Sequence, residues 1–180
     1  MGLKYYLKRI LGLHEYDREG ERLILKSVQL YHKVGTINRW RAYRLHNSIR
    51  KNYCCCVYPK VTIGKNFYIA HAHNITIGRS AVIGDNCKIY PYCYIMASLK
   101  GDDERTRNGE RRHAKIGNDC ILGAKSTIIG PITIGDDVTI GAGAIITKDV
   151  PSHTVVKGIN GFRPKRPEEM PEKYKSGENI

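Results

Sequence analysis

The sequence predicts a mainly β protein built as a left-handed parallel β-helix, and a short repeat is the main observation behind this prediction. Between Val57 and Ile146 a branched aliphatic residue returns about every six positions, and glycine often follows it directly. This period matches neither the 3.6-residue period of an α-helix nor the two-residue alternation of a hairpin strand. It fits a prism in which each coil has three short strands and three turns, with the aliphatic residue inside and glycine tolerating the turn backbone.

The repeat also predicts which side chains form the core. The aliphatic positions are Val57, Ile63, Ile69, Ile77, Ile83, Ile89, Ile95, Ile116, Leu122, Ile128, Ile134, Ile140 and Ile146. The fourth residue after each aliphatic position should also face inward and be small or apolar. These second positions are Val61, Phe67, Ala81, Cys87, Cys93, Cys120, Ser126, Ile132, Val138 and Ala144. Half of the six cysteines therefore become small core residues.

The chain divides into three parts around this repeat. Residues 1–53 are expected to be helical, because Glu21 to Val34 and Ile37 to Ile49 carry loosely helix-spaced apolar residues. Residues 54–156 are expected to form the β-helix, with an external loop at about 97–114 where the sequence turns polar and charged. Residues 157–180 are polar and contain several prolines, so we expect a C-terminal tail outside the prism.

The charge of the chain and its lack of targeting signals indicate possible binding partners and the cellular location. The net charge is +13, and much of it lies before residue 54. Such a basic region is compatible with a solvated face, a phosphorylated ligand or peripheral contact with a membrane. No nucleic-acid-reading motif occurs, and nucleic acid is not an expected partner. The sequence shows neither a bilayer-spanning apolar stretch nor a signal-peptide pattern, and we expect a cytoplasmic protein.

The run Cys54-Cys55-Cys56 precedes the first coil. Adjacent residues in an extended strand alternate between faces, and no Cys-x-x-Cys spacing occurs in the chain. We therefore expect neither a metal site nor a disulfide, and free thiols are typical of a reducing compartment.

The repeat is interrupted twice, and each interruption carries histidine. The two residues inserted between Ile69 and Ile77 accompany His71 and His73, and the external loop ends at Arg112-His113. Loops on rigid scaffolds are where binding and catalytic residues concentrate. These interruptions are the candidate functional positions.

Three segments carry a resemblance to a known family: AHAHNITIG (70–78), RRHAKIG (111–117) and the closing coils ILGAKSTIIGPITIGDDVTIGAGAIITKDVPSHTVVKG (121–158). They resemble the hexapeptide-repeat acyltransferases, particularly the serine acetyltransferases and the sugar O-acetyltransferases related to them. The resemblance implies a homotrimer with sites between neighbouring prisms, and direct acetyl transfer from acetyl-CoA to a hydroxyl. No metal is implied.

The resemblance also implies roles for particular residues. His71 would be the general base, a task that suits neutral imidazole. Arg112 and His113 would meet the acceptor. The residues expected to bind acetyl-CoA are Gly123, Ala124, Gly141, Ala142, Thr147, Lys148 and, by its charge, Lys165.

Two departures from the serine acetyltransferases bear on the acceptor. Those enzymes carry aspartates where this chain has Ala70 and Cys56, and here an acid of the loop (Asp102, Asp103 or Glu104) would have to support His71, or the histidine acts unassisted. We therefore expect a saccharide acceptor, nucleotide- or lipid-linked, in surface polysaccharide biosynthesis. The alternative is serine O-acetylation for cysteine biosynthesis. Further alternatives are a γ-class carbonic anhydrase-like zinc protein using His71, His73 and His113, and a non-catalytic scaffold.

Overall fold

A computed structural model describes residues 19–98 and 112–175 and confirms the predicted left-handed β-helix. Two helices, α1 (Glu19–His32) and α2 (Thr36–Tyr53), precede the coils. The strands are β1 (Cys56–Val57), β2 (Thr62–Ile63), β3 (Tyr68–Ile69), β4 (Thr76–Ile77), β5 (Val82–Ile83), β6 (Lys88–Ile89), β7 (Tyr94–Met96), β8 (Lys115–Ile116), β9 (Ile121–Leu122), β10 (Thr127–Ile129), β11 (Thr133–Ile134), β12 (Thr139–Ile140), β13 (Ile145–Ile146), β14 (Thr154–Lys157) and β15 (Gly161–Pro164). Short 3₁₀ turns follow at Pro167–Glu169 and Glu172–Tyr174.

The strands stack into three parallel sheets that form the faces of the prism. The first sheet has the order β1-β4-β7-β10-β13, the second β2-β5-β8-β11, and the third β3-β6-β9-β12-β14. β15 completes the third sheet as an antiparallel neighbour of β14. Within each sheet every inward aliphatic residue lies beside the next, so that Val57, Ile77, Ile95, Ile128 and Ile146 form one continuous row.

The core follows the predicted pattern closely. Every predicted aliphatic position except Ile63 is buried, and the second inward positions are buried as well. Ser126 is the polar member of that set, and its hydroxyl lies 3.2 Å from the Cys93 thiol. Burial raises the pKa of Cys93 to about 12, so this thiol stays protonated and behaves as a core residue.

The glycines that follow the aliphatic residues were predicted to tolerate an unusual turn backbone, but in the structure they have a different role. In the regular turns the positive φ falls two residues later, as at Asn66, Asn86 and Asp119. Gly64 is needed for space instead, because a Cβ there would lie 2.6 Å from the backbone of Gly84 in the next coil. Real Cβ contacts are not this short, so the glycines allow neighbouring coils to approach.

The two helices close the end of the prism at its first coil. Ile24 and Val28 of α1 and Ile49 of α2 join the β-helix core. Two histidines link the helices to backbone carbonyl groups of the first coil. The His32 ring lies 2.9 Å from the Val61 carbonyl oxygen, and the His46 ring lies 2.9 Å from the Val57 carbonyl oxygen.

Neither described helix has the length and apolar character needed to cross a membrane.

The C-terminal segment returns to the prism after the last coil. β14 extends across the boundary expected at residue 156, and the chain then runs along the edge between the second and third sheets. There Lys165 pairs with the buried Asp137, at 2.6 Å between Nζ and Oδ1. Tyr174 donates a hydrogen bond of 2.6 Å to Asp119. Residues 1–18 and most of the external loop, with Asp102, Asp103 and Glu104, lie outside the described residues.

His46 should make folding stability depend on pH. Burial lowers its pKa, partly offset by the hydrogen bond to Val57, so the folded protein holds this ring neutral. Since the unfolded chain takes up the proton first, the free energy of unfolding should decrease as pH falls below about 6.5, the usual histidine pKa. Urea unfolding at several pH values would show a smaller decrease for His46→Gln than for the native protein.

The matched control is His32→Gln, which removes a comparable ring-to-carbonyl contact and leaves His46 in place. Identical pH dependence in the native protein and His46→Gln would contradict the assignment.

Candidate functional site

His71 lies at the turn between β3 and β4, where the insertion enlarges the corner of the first coil. Its side chain is exposed, and its backbone has a φ of 53°. The His71 carbonyl accepts a hydrogen bond of 2.7 Å from the His73 N–H, which folds the enlarged corner back on itself. The His73 ring packs edge-on against Tyr92 of the next coil, with 5.4 Å between ring centroids. The corner thus presents an imidazole to solvent from a position fixed by its neighbours.

The same edge of the prism carries most of the predicted cofactor-binding residues. We call it the His71 edge; it consists of the turns at 70–75, 90–93, 123–126 and 141–144, which join the third sheet to the first. Gly123 with Ala124, and Gly141 with Ala142, occupy its later turns. Successive turns are joined by backbone hydrogen bonds: Tyr92 N–H to His73 C=O (3.2 Å), Lys125 N–H to Pro91 C=O (3.0 Å) and Gly143 N–H to Ala124 C=O (2.8 Å).

The surface of this edge is open beside the small residues of the turn at 141–144. Ala142 is exposed, and a Cβ added to Gly143 would meet no atom within 4 Å. A long, thin ligand could therefore lie against the turn at 141–144 without displacing protein atoms, whereas the space beside Gly123 is filled by the backbone of residues 140–142.

Arg112 and His113 lie on a different edge, which we call the loop edge. Its described parts are the turns at 58–61, 78–81 and 130–132, the two ends of the external loop at 97–98 and 112–114, and residue 147, and it joins the first sheet to the second. The Ser80 hydroxyl anchors the loop exit, because it lies 2.7 Å from His113 Nδ1 and accepts a hydrogen bond of 3.1 Å from the Arg112 N–H. The His113 ring lies directly on Gly78, where any side chain would overlap it.

The surroundings of His113 hold its ring neutral. Burial, followed by the positive charges of Arg112 and Arg79, lowers the pKa of His113. At neutral pH this residue can therefore contribute a hydrogen bond to a ligand, while the positive charge at the loop exit comes from exposed Arg112.

Two further predicted cofactor-binding positions lie at the end of the loop edge. Thr147 and Lys148 follow β13, and both are exposed. The Thr147 N–H donates a hydrogen bond of 2.9 Å to the Asn160 side chain, which fixes this turn. Lys165, the last predicted cofactor-binding residue, lies neither on the His71 edge nor beside Thr147 and Lys148. Its ammonium is buried against Asp137 on the third edge, between the second and third sheets.

Sequence reasoning missed a pair of acids near the His71 corner. A Cβ added to Gly20 of α1 would lie 2.9 Å from the Ala72 side chain, so the first turn of α1 packs directly on this corner. Glu19 and Glu21 flank Gly20, and Glu21 is 6% exposed. The repeat gives no indication of this contact, because it depends on how a separate helix docks.

Comparisons with known proteins agree with this architecture. Residues 113–148 match the family model described as "Hexapeptide repeat of succinyl-transferase". Serine acetyltransferase 4 of Arabidopsis thaliana is 33% identical over 154 residues, which are 85% of this chain and 40% of that protein. Serine acetyltransferase of Mycobacterium tuberculosis is 37% identical over 105 residues, 58% of this chain and 43% of that protein.

A solved structure shows the same similarity in three dimensions. Neisseria gonorrhoeae serine acetyltransferase, in complex with serine, superposes with a TM-score of 0.66 at 28% identity, over 81% of this chain and 55% of that one. The fold and the repeat define this chain as a hexapeptide-repeat β-helix protein. Within that class, its β-helix is similar to that of the serine acetyltransferases. The chain spans only 40% to 58% of the length of the curated relatives it matches.

These comparisons overturn the expected saccharide acceptor and the expected place in polysaccharide biosynthesis. The relatives at 33% to 37% identity are named serine acetyltransferases, which favours the alternative acceptor, serine. The prediction was wrong because it took Ala70 and Cys56 as evidence against serine. It considered acids of the repeat and its loop, and not Glu19 and Glu21, which flank the Gly20 that packs on Ala72.

The anchor at the loop exit can be tested by Ser80→Ala. Losing both hydrogen bonds should free Arg112 and His113, at a cost of about 1–3 kcal/mol to local stability. Limited proteolysis with trypsin, followed by mass spectrometry, should show faster cleavage after Arg112 while the β-helix stays intact.

Ser48→Ala on α2 is the control, since it removes a serine hydroxyl that accepts a hydrogen bond of 3.2 Å from nearby Asn52 and lies outside the loop exit. Equal cleavage after Arg112 in Ser80→Ala and the native protein would show that Ser80 is not the anchor.

Proposed function

We propose that this protein transfers the acetyl group of acetyl-CoA to the hydroxyl of serine, yielding O-acetylserine and CoA. The observation that carries the proposal is the His71 edge, where a histidine and the open, small-residue turn at 141–144 lie along one line of the prism. The similarity to serine acetyltransferases supports the choice of acceptor. The cytoplasm, where acetyl-CoA and free thiols are maintained, is the location we propose for the reaction.

The chemistry follows from the properties of the two reacting groups. A serine hydroxyl is a weak nucleophile at neutral pH, and His71 acts as the general base that takes its proton during attack. The hydroxyl oxygen bonds to the thioester carbonyl carbon, and a tetrahedral oxyanion forms. Backbone N–H groups are suited to stabilise that charge. The intermediate then expels the CoA sulfur, which receives the proton from the His71 imidazolium.

The acids beside the His71 corner complete this proposal. A carboxylate near a histidine base orients its ring and stabilises the imidazolium that forms during proton transfer. Neither Ala70 nor Cys56 can do so. Glu19 and Glu21 lie on the helix turn that packs against Ala72, and they supply carboxylate chemistry from α1.

Assembly into a homotrimer completes the site in this proposal. His71 and Arg112 lie on different edges of the same chain, on either side of the first sheet. In a closed ring of three prisms, the His71 edge of one protomer can face the loop edge of the next. Arg112 then binds the serine carboxylate, for which a planar guanidinium is well suited.

Substitution of His71 tests the catalytic role. The rate of serine-dependent thiol release from acetyl-CoA should fall by about 10²–10⁴-fold in His71→Ala, because proton removal is lost. His73→Ala is the matched control, since it removes a second exposed imidazole two residues away and should retain most of the activity. Activity of His71→Ala within a factor of about ten of the native protein would contradict the assignment.

The open surface at Ala142 tests the cofactor path. Ala142→Leu adds a bulky side chain at an exposed turn, and KM for acetyl-CoA should rise about tenfold or more while KM for serine stays nearly constant. Thr62→Leu adds similar bulk at an exposed position on the second sheet and should leave both constants unchanged. Equal KM values for acetyl-CoA in the two variants would exclude a path along the His71 edge.

A further inference from the structure

The outward face of α2 carries apolar side chains that the fold does not cover. Ile37 is 62% exposed and Trp40 is 55% exposed, while Val34, in the turn before the helix, is 98% exposed. Ala42 and Ile49 are buried on the opposite side of the helix. Because residues three and seven apart share a helix face, Ile37, Trp40 and Arg44 form one outward stripe.

The same helix is strongly basic. From Thr36 to Tyr53 it contains no acidic residue, and its cationic side chains are Arg39, Arg41, Arg44, Arg50 and Lys51. The Arg44 guanidinium lies 4.8 Å from the Trp40 ring centroid, and the Arg39 guanidinium lies 5.8 Å from the ring centroid of Tyr31. The contact of Arg44 keeps positive charge directly beside the exposed Trp40, while Arg39 lies at the flank of the helix against Tyr31 of α1.

We propose that this surface, formed by Val34, Ile37, Trp40, Arg41 and Arg44 with Arg39 at its flank, docks onto an anionic lipid bilayer. A basic helix face with exposed apolar and tryptophan side chains is suited to the boundary between headgroups and acyl chains. The apolar groups enter the bilayer surface, and the guanidinium groups bind lipid phosphates. The tryptophan ring, apolar with one polar N–H, is suited to that depth.

The charge and apolar groups of this surface favour an anionic bilayer over a second copy of the chain or a nucleic acid. A second copy of the same face would oppose arginine with arginine, which disfavours self-association. Nucleic acid would match the charge but would leave Val34 and Ile37 without an apolar environment. An anionic bilayer satisfies both kinds of side chain.

Docking would also orient the β-helix. The helices pack on the first coil, through His46 at the Val57 carbonyl and Gly20 at Ala72. The end of the prism that carries His71 therefore lies nearest the lipid, and the later coils point away. This inference concerns α2 and does not depend on the acceptor of the proposed reaction.

The chain contains one tryptophan, Trp40, and its fluorescence therefore reports on this surface alone. The full chain would be mixed with phosphatidylcholine vesicles, or with phosphatidylcholine vesicles containing phosphatidylglycerol. We expect flotation with the anionic vesicles only, a blue shift of the emission and reduced quenching by aqueous acrylamide. Flotation should weaken as salt is added.

Two variants separate charge from apolar insertion. The triple substitution Arg39→Gln, Arg41→Gln and Arg44→Gln should lower the vesicle partition coefficient at least about tenfold. Val34→Ser with Ile37→Ser should diminish the blue shift and lower partitioning. The matched control replaces exposed lysines of the β-helix, Lys65→Gln, Lys88→Gln and Lys115→Gln, and should float like the native protein.

Several results would overturn the inference. These are no flotation of the native chain with anionic vesicles, an unchanged Trp40 emission on binding, or an equal loss of binding in the control triple variant. Concentration-dependent self-association through α2, abolished by Ile37→Ser and unaffected by lipid, would instead identify a second copy as the occupant. Circular dichroism of each variant ensures that only folded protein is compared.

Discussion

The stacking of inward aliphatic side chains in register is the constraint on which the rest of the structure depends. Each strand is only two to four residues long, far too short to be stable alone. Burial of a row such as Ile69, Ile89, Leu122 and Ile140 stabilises the coils against one another. Because adjacent side chains in a strand point to opposite faces, a shift of one residue would turn these side chains outward, and the register is therefore strongly specified.

That register also determines what each edge of the prism can carry. Once the aliphatic rows are aligned, turns that are far apart in sequence lie one above another, and His71 comes to share an edge with Ala124 and Ala142. The position of Lys165, in contrast, is not determined by the register. It lies beyond the repeat, so nothing in the register could place it, and the structure pairs it with Asp137 on another edge.

The repeat made the fold and much of the candidate site predictable from sequence. The inward positions, the inserted corner at His71 and the loop ending at His113 all follow from the six-residue period. Contacts between separate elements could not be predicted in this way. The docking of Gly20 on Ala72, and the bond from Ser80 to His113, depend on tertiary packing that leaves no period in the sequence. The wrong acceptor had a different origin, because the substitutions Ala70 and Cys56 were taken as evidence against serine, whereas the relatives of this chain are named serine acetyltransferases.

The α1–α2 hairpin covers the open end of the prism. A stacked-repeat core exposes its apolar interior at each end, and the terminal coil needs a cap. Ile24, Val28 and Ile49 provide that cap by entering the core at the first coil. Since the first coil is also the coil of His71, the element that closes the core must lie beside the histidine. The helix that satisfies the folding requirement thereby packs Gly20, flanked by Glu19 and Glu21, on the His71 corner, while its neighbour α2 keeps a basic outer face with Ile37 and Trp40 exposed.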